Sequence, residues 1–323
     1  MYKARIIATG GYLPERILTN HDLEKMMDTS DEWIQKRTGI KERHIAADNQ
    51  VTSDLACEAS KQALKRAGIT ADKLDMIIVG TCTPDMTLPA VALHLQRKLG
   101  AGKAGCAAVD MNAACSGFLY SMATANAYIK SGMAKNILVV GVETLSRIVN
   151  WDDRSTAVIF GDGAGAAILT QDSGKRGIIA SELHADGDYA YLMIAPGNGT
   201  FHAPTGNYTK IHMEGHDTFK IAVRHLENVS RSVLEKAGVK PEEIDVVVPH
   251  QANVRIIGSV AKRLDIPMEK CILTIDHHGN TAGASIPLAL NEAVENGRIT
   301  DGDMILFNAF GASITWGSML VRW

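Results

Sequence analysis

A chain of 323 residues with 46% hydrophobic and 21% charged residues is long enough for one large core or for two halves. That balance and a formal net charge of -3 exclude a disordered or collagenous chain and give no global pull toward nucleic acid. The N-terminal MYKARIIATGGYLP lacks the apolar core of a signal peptide, and no apolar run approaches a membrane span, so a cytoplasmic protein without a membrane partner is expected. Cys57, Cys82, Cys106, Cys115 and Cys271 are scattered, odd in number and without a CxxC pair, which argues against a disulfide framework or a zinc site and fits a reducing compartment.

Residues 4–9 read as a strand ended by Gly10-Gly11 and Pro14. Residues 19–22 supply N-cap candidates for a helix through Met27, and residues 29–32 cap a second short helix. The second helix carries Trp33 and Arg37 at i and i+4 on one face, open to two readings: a stacking-and-phosphate site or a packed surface helix. An amphipathic helix over 53–67 stops at Gly68, a buried strand covers 76–79, and a helix covers 89–99. A strand over 107–111 leads into VDMNAACSGF, where Cys115 precedes a helix from Phe118 to Ser131. A thiol there meets unpaired N–H groups and the positive end of the helix dipole, which favours thiolate. A lone cysteine is also at home as a small buried apolar side chain, so the motif alone leaves both readings open. Residues 137–140 form another apolar strand. The glycine-rich GDGAG at 161–165 is followed by a β-like run rather than a helix, so a tight connection between antiparallel strands fits it better than a dinucleotide cradle.

The second half repeats the first. KQALKRAGITADKLDMIIV (61–79) aligns without gaps to RSVLEKAGVKPEEIDVVVP (231–249), with Leu64, Ala67, Gly68 and Asp75 meeting Leu234, Ala237, Gly238 and Asp245. The Cys115 helix and strand 137–140 are echoed more loosely by a helix over 286–296 and a strand over 304–307. A duplicated, layered α/β unit follows, joined near 170–177, with halves at 1–172 and 173–323.

His250 breaks this internal symmetry at the C-terminal end of a strand, the usual edge for α/β active sites, where the first repeat has only Gly80-Thr81. DHHGNTAGAS (276–285) is the counterpart of the cysteine turn, so superposing the repeats brings Asn280 toward Cys115. Asn280 also suits a turn or a cap. His277 and His278 suggest a metal pair, but no carboxylate or third ligand at suitable spacing is visible, and no metal is expected. Cys115, His250 and Asn280 together offer a nucleophile and two hydrogen-bonding groups for reacting oxygens.

With these residues in hand, the sequence resembles the β-ketoacyl-acyl-carrier-protein synthase III family of the thiolase superfamily over essentially its whole length. The motifs are TSDEWIQKRTGIKERHI (29–45), NAACSGF (112–118), FGDGAGAAIL (160–169), HQANVRII (250–257), HGNTAGASIP (278–287) and TWGSMLVRW (315–323). The resemblance implies a thiolase-like duplicated αβαβα sandwich, a homodimer, and the decarboxylative Claisen condensation that starts fatty-acid synthesis. An acyl-CoA is the primer, malonyl-acyl carrier protein the extender, and no cofactor is implied. It makes Cys115 the acyl-accepting nucleophile, and His250 and Asn280 the pair that binds the malonyl thioester oxygen. It gives the oxyanion hole to the N–H groups of Cys115 and Ala312, although Phe310-Gly311-Ala312-Ser313 departs from the family's Phe-Gly-Gly-Gly. Trp33, Arg37, Arg154 and Asn253 match CoA-binding positions, and Lys220, Arg255, Lys262 and Arg263 a basic rim for the acidic carrier. Leu88 and Phe310 match the acyl pocket; Leu88 falls where some relatives carry a Phe that closes the acyl tunnel from the dimer partner, so primers beyond acetyl are expected.

A thiolase would need a second catalytic cysteine, and Cys271 sits in the apolar CILTI; a hydroxymethylglutaryl-CoA synthase would need a glutamate base, and neither Glu58 nor Glu143 has that context. A condensing enzyme of secondary metabolism, making quinolone or polyketide starters with the same trio, is the main rival. A cysteine hydrolase and a non-catalytic carrier-binding protein are weaker ones.

Overall fold

Short runs of Val, Ile and Leu, apolar at both odd and even positions, are buried on both faces and form the inner strands of two sheets. The computed structural model describes residues 2–195, 210–213, 215–312 and 314–323. In chain order the elements are β1 (Lys3–Tyr12), β2 (Arg16–Thr19), α1 (Asn20–Glu24), α2 (Asp31–Thr38), β3 (Glu42–Ile45), α3 (Thr52–Ala67), β4 (Met76–Gly80), α4 (Val91–Lys98), β5 (Ala107–Met111), α5 (Gly117–Lys130), β6 (Asn136–Thr144), α6 (Arg154–Ala157) and β7 (Asp162–Asp172). The second half holds β8 (Gly177–Ala185), β9 (Met193–Ile194), β10 (His212–Met213), α7 (Gly215–Ala237), β11 (Val246–Pro249), α8 (Val254–Arg263), α9 (Ile275–His278), α10 (Ser285–Glu295), β12 (Met304–Gly311) and β13 (Thr315–Arg322).

One sheet has the order β1-β7-β6-β4-β5 and the other β11-β12-β13-β8, so β4, β6, β7 and β1 answer to β11, β12, β13 and β8. The repeat extends to single hydrogen bonds. Asp75 N–H donates to the Asn136 carbonyl at 2.9 Å and Asp245 N–H to the Met304 carbonyl at 3.0 Å, and each Asp carboxylate accepts the N–H of that same partner at 2.8 Å. Gly68 and Gly238 end α3 and α7 with φ of 66° and 65°, where a side chain would be strained. β5 has no full counterpart: CILTI contributes one bridge, Val247 to Cys271, instead of a strand.

Alternate strand residues face opposite layers. Ile77 and Val79 pack with Leu55 and Ala59 of α3 and Leu95 of α4, while Ile78 turns to Phe118 and Met122 of α5 and Leu290 of α10. Val248 and Phe307 meet the same α5–α10 layer from the second sheet, and Val247 and Leu306 face Val233 of α7 and Val260 of α8. The layers therefore run α3–α4, sheet, α5–α10, sheet, α7–α8, which is the αβαβα order. Among the described residues, no helix is long and apolar enough to cross a membrane.

The GDGAG segment differs from expectation. Its last four residues lie inside β7, and its flank at 154–157 is the short helix α6. The glycines serve a close helix approach instead of a turn: a Cβ on Gly165 would sit 2.6 Å from the backbone of Pro287, and one on Gly163 2.9 Å from Leu288, both in α10. The expected helices over 19–27 and 89–99 are shorter, the second starting at Val91, where the Asp110 carboxylate of β5 accepts the N–H groups of Val91 and Ala92 at 2.7 and 2.8 Å.

Candidate active site

The cysteine sits where β5 passes through a single 3-10 turn, Ala114–Ser116, into α5. Ala114 holds φ at 47°, a left-handed conformation that costs alanine about 1–2 kcal/mol. The matching turn before α10, Ala282–Ala284, repeats it with Ala282 at φ 41°. Gly311 at the end of β12 keeps the space open, since a Cβ there would lie 2.9 Å from the Ala113 carbonyl and 3.2 Å from the Cys115 nitrogen.

Cys115 is buried, and burial pushes its thiol up to about 12, with the Glu143 carboxyl adding to the rise. The backbone N–H groups of Ala312 and Cys115 act on the sulfur in the opposite direction. The helix start was expected to favour the thiolate; in the free protein desolvation outweighs it, and the sulfur is a neutral thiol. Ala312 delivers its N–H without a left-handed backbone, because Ala114, Asp265 and Ala282 are the non-glycine residues in that region among the described ones. Ser313 lies outside the described residues.

Glu143, which the sequence reading set aside, lies beside this turn. Its carboxyl is fully buried on β6, where it accepts from Thr83 Oγ1 at 2.5 Å, Thr81 Oγ1 at 3.2 Å and the Cys82 N–H at 3.2 Å. Burial raises it to about 7 in spite of these donors. The signal for it in the sequence is a single Glu within an otherwise apolar strand, level with the Thr-Cys-Thr that follows β4.

His250 follows β11 and is buried, which lowers it to about 3 and leaves it neutral. Its Nδ1 is 2.6 Å from Ser285 Oγ at the start of α10, and Ser285 Oγ also receives the Gln251 N–H at 3.3 Å. When the serine hydroxyl donates to Nδ1, the imidazole carries its own proton on Nε2. Asn280 is fixed as a donor in the same way: its Oδ1 accepts the Ala282 N–H at 2.8 Å, which leaves Nδ2 to face the cavity. Its backbone is bridged to Phe160, with Asn280 N–H on the Ile159 carbonyl at 3.0 Å.

One cavity of about 800 Å³ is lined by Cys115, His250, Asn280, Phe310 and Ala312 and by Trp33, Arg37, Arg154, Asn253 and Arg255. The expected trio, loop and CoA-type residues thus share one space. Arg37 and Arg154 both lie over the Trp33 ring, at 4.6 and 5.2 Å from its centroid. The Arg154 guanidinium is held in that position by donating to the Asp28 carbonyl at 2.7 Å. Asn253 is committed to the fold: its Oδ1 caps α8 through the Arg255 N–H at 2.9 Å and its Nδ2 holds the Arg37 carbonyl at 2.8 Å. Lys220, Lys262 and Arg263 are exposed outside the cavity, and Arg263 pairs with Glu227 at 2.9 Å. Leu88 is 82% exposed and does not line the cavity of its own chain. His277 and His278, read as lacking a carboxylate, have one in Glu292, one helix further along the chain.

Family models for 3-oxoacyl-[acyl-carrier-protein] synthase III match residues 109–187, and its C-terminal model matches residues 234–323. A β-ketoacyl-[acyl-carrier-protein] synthase III of Xanthomonas campestris is 51% identical over 323 residues, covering 99% of this chain and 98% of that protein. The crystal structure of the Aquifex aeolicus 3-oxoacyl-[acyl-carrier-protein] synthase III superposes with a TM-score of 0.93 at 49% identity, over 99% of this chain and 100% of that one. The Thermus thermophilus β-ketoacyl-[acyl-carrier-protein] synthase III superposes with a TM-score of 0.93 at 43% identity, over 99% of both chains. A thiol, two neutral donors and a pair of backbone N–H groups in one cavity, on a duplicated αβαβα frame shared with these proteins over its full length, show that the chain belongs to the β-ketoacyl-acyl-carrier-protein synthase III family of condensing acyltransferases.

Proposed function

We propose that Cys115 takes the acyl group of an acyl-CoA primer as a thioester, and that His250 and Asn280 then hold the thioester oxygen of malonyl-acyl carrier protein while CO2 leaves. The observation that carries this reading is that both groups are neutral donors facing the cavity that the thiol also faces. In the first step the Cys115 sulfur attacks the acyl carbonyl, the oxyanion rests on the N–H groups of Cys115 and Ala312, and CoA departs carrying the proton that the thiol gave up. In the second, loss of CO2 leaves two electrons on the malonyl α-carbon. The enolate oxygen gathers charge only then, so two uncharged donors stabilise the transition state more than the ground state. The enolate carbon attacks the acyl-Cys115 carbonyl, the C–S bond breaks, and the released sulfur takes one proton from solvent, helped by the desolvation that holds the free thiol near a pKa of about 12. Thioesters carry this chemistry without a cofactor.

Trp33 and Arg154 flank the adenine, Arg37 meets the phosphates, and Asn253 supports Arg37. Lys220, Arg255, Lys262 and Arg263 meet the carrier protein, and Phe310, with Leu88 from a second copy, closes the acyl end. A homodimer is supported by β5, which pairs with β4 on one side and has no neighbouring strand among the described residues on the other, with Val109, Met86 and Leu88 exposed around it. The free cysteines suit a cytoplasmic location, and the halves 1–172 and 173–323 are two copies of one unit. In Cys115→Ser, transfer of label from acyl-CoA to the protein is lost while part of the malonyl-carrier decarboxylation persists. In Asn280→Ala, decarboxylation falls by about 10²–10³-fold. Loss of both activities in Cys115→Ser, or unchanged decarboxylation in Asn280→Ala, overturns these separate roles.

A further inference from the structure

Behind the loop that presents Asn280, α9 and α10 bring together a group of side chains that the condensation does not use. His277 Nε2 is 3.0 Å and His278 Nε2 3.2 Å from the same oxygen, Oε2 of Glu292, and the two imidazoles meet edge to face with centroids 4.3 Å apart. The ligand-capable atoms of the three residues all lie within 4.8 Å of one another. Zinc bonded to imidazole nitrogen and carboxylate oxygen at about 2.0–2.1 Å sets neighbouring ligands about 3.3 Å apart, so two of the three edges already have tetrahedral length to within a few tenths of an ångström.

Two further observations point to a ligand. His277 Nδ1 is held at 2.7 Å by the Asp276 carboxylate, which is steadied in turn by Lys41 at 3.2 Å. A carboxylate on the far nitrogen orients the ring and makes it a better donor, the outer partner that metal-binding histidines carry. The buried His278 is only 4% exposed, and its Nδ1 has no hydrogen-bond partner among the described residues, so one polar atom of this buried ring is left unsatisfied while Nε2 meets Glu292. The half-exposed His277, Glu292 and Asp276 leave a path from solvent.

We propose that His277, His278 and Glu292 form a binding site for a divalent zinc-class cation, with Asp276 as its outer carboxylate and the fourth position left to water. The ion replaces the proton that His277 shares with the two carboxylates, and that proton is released to solvent. It ties α9, two residues before Asn280, to α10, whose first residue is Ser285. The site is separate from the condensation: its bearing on rate rests on the role given to Asn280 above, whereas its existence does not.

The test is Co²⁺ titration of chelator-treated protein, read by the visible absorption of tetrahedral cobalt and by competition with Zn²⁺. One equivalent is expected to give the tetrahedral spectrum, to be displaced by Zn²⁺ and to raise Tm. H277Q and E292Q lose the spectrum, and D276N weakens uptake by about 10–100-fold. H21Q, at the exposed His21–Glu24 pair, and C115S keep it. Matching unfolding curves for each variant in chelator establish that it is folded. Tetrahedral cobalt that survives both H277Q and E292Q, that is lost in C115S, or that never forms with the wild-type protein overturns the site.

Discussion

The buried Glu143 carboxyl raises the cost of charge on Cys115, and burial raises the cost of charge on Glu143 itself. A carboxyl raised to about 7 from an ordinary value of 4.5 binds its proton more tightly in the folded protein, so the folded state loses stability as pH rises from about 4.5 to 7 and changes little above that. Glu143→Gln removes that slope. Chemical denaturation at pH 5 and pH 7.5 should show the wild-type protein weakening relative to the variant by a few kcal/mol; parallel curves would show that Glu143 is ionised throughout. Cys115, His250 and Asn280 were legible because each sits in a local pattern, a small-residue turn or a strand end, that repeats or breaks the internal symmetry. Glu143 and Ser285 were not, because their roles are set by neighbours 60 and 35 residues away. The direction of the Cys115 shift was missed for a related reason: a helix start is visible in the sequence, and the depth of burial that overrides it is not.

Among the elements, the inner strands and the helices of the repeat were readable from apolar periodicity and glycine stops. The GDGAG segment was not, because a glycine that makes a turn and a glycine that admits a neighbouring helix look alike in one dimension. Gly141 of β6, Gly163 and Gly165 of β7 form a smooth strip under the start of α10, and a Cβ on Gly141 would collide with the Gly283 carbonyl itself. Gly141→Ala is therefore expected to lower stability by at least the top of the ~1–3 kcal/mol usual for overpacking, since backbone rather than a side-chain tip has to move. Thermal unfolding of the variant checks this: an unchanged Tm would mean that α10 slides freely on the sheet.

At the scale of the whole molecule, α5 and α10 belong to different repeats yet share one apolar layer, so the two copies have a common core. Charge is distributed by face: α8 carries Arg255 at the cavity and exposed Lys262 and Arg263 in its last turn, with Arg263 partly neutralised by Glu227. A Lys262→Glu, Arg263→Glu double variant should raise KM for malonyl-carrier on the order of tenfold at low salt while acylation by acyl-CoA is kept. Normal KM in that protein would place carrier docking elsewhere. The duplication and the face of α8 were readable from the sequence; the shared middle layer was not, since it depends on how the two copies stack.

The two left-handed alanines separate what the frame requires from what the site requires. Ala282 bears the same backbone strain as Ala114, although Gly283, and no sulfur, follows it. Strain that persists in the copy without a nucleophile was not shaped to activate one. It belongs to the way two helix starts abut at the molecule's internal dyad, so the bend at Ala114 is a property of the frame and is expected to remain when the sulfur is replaced.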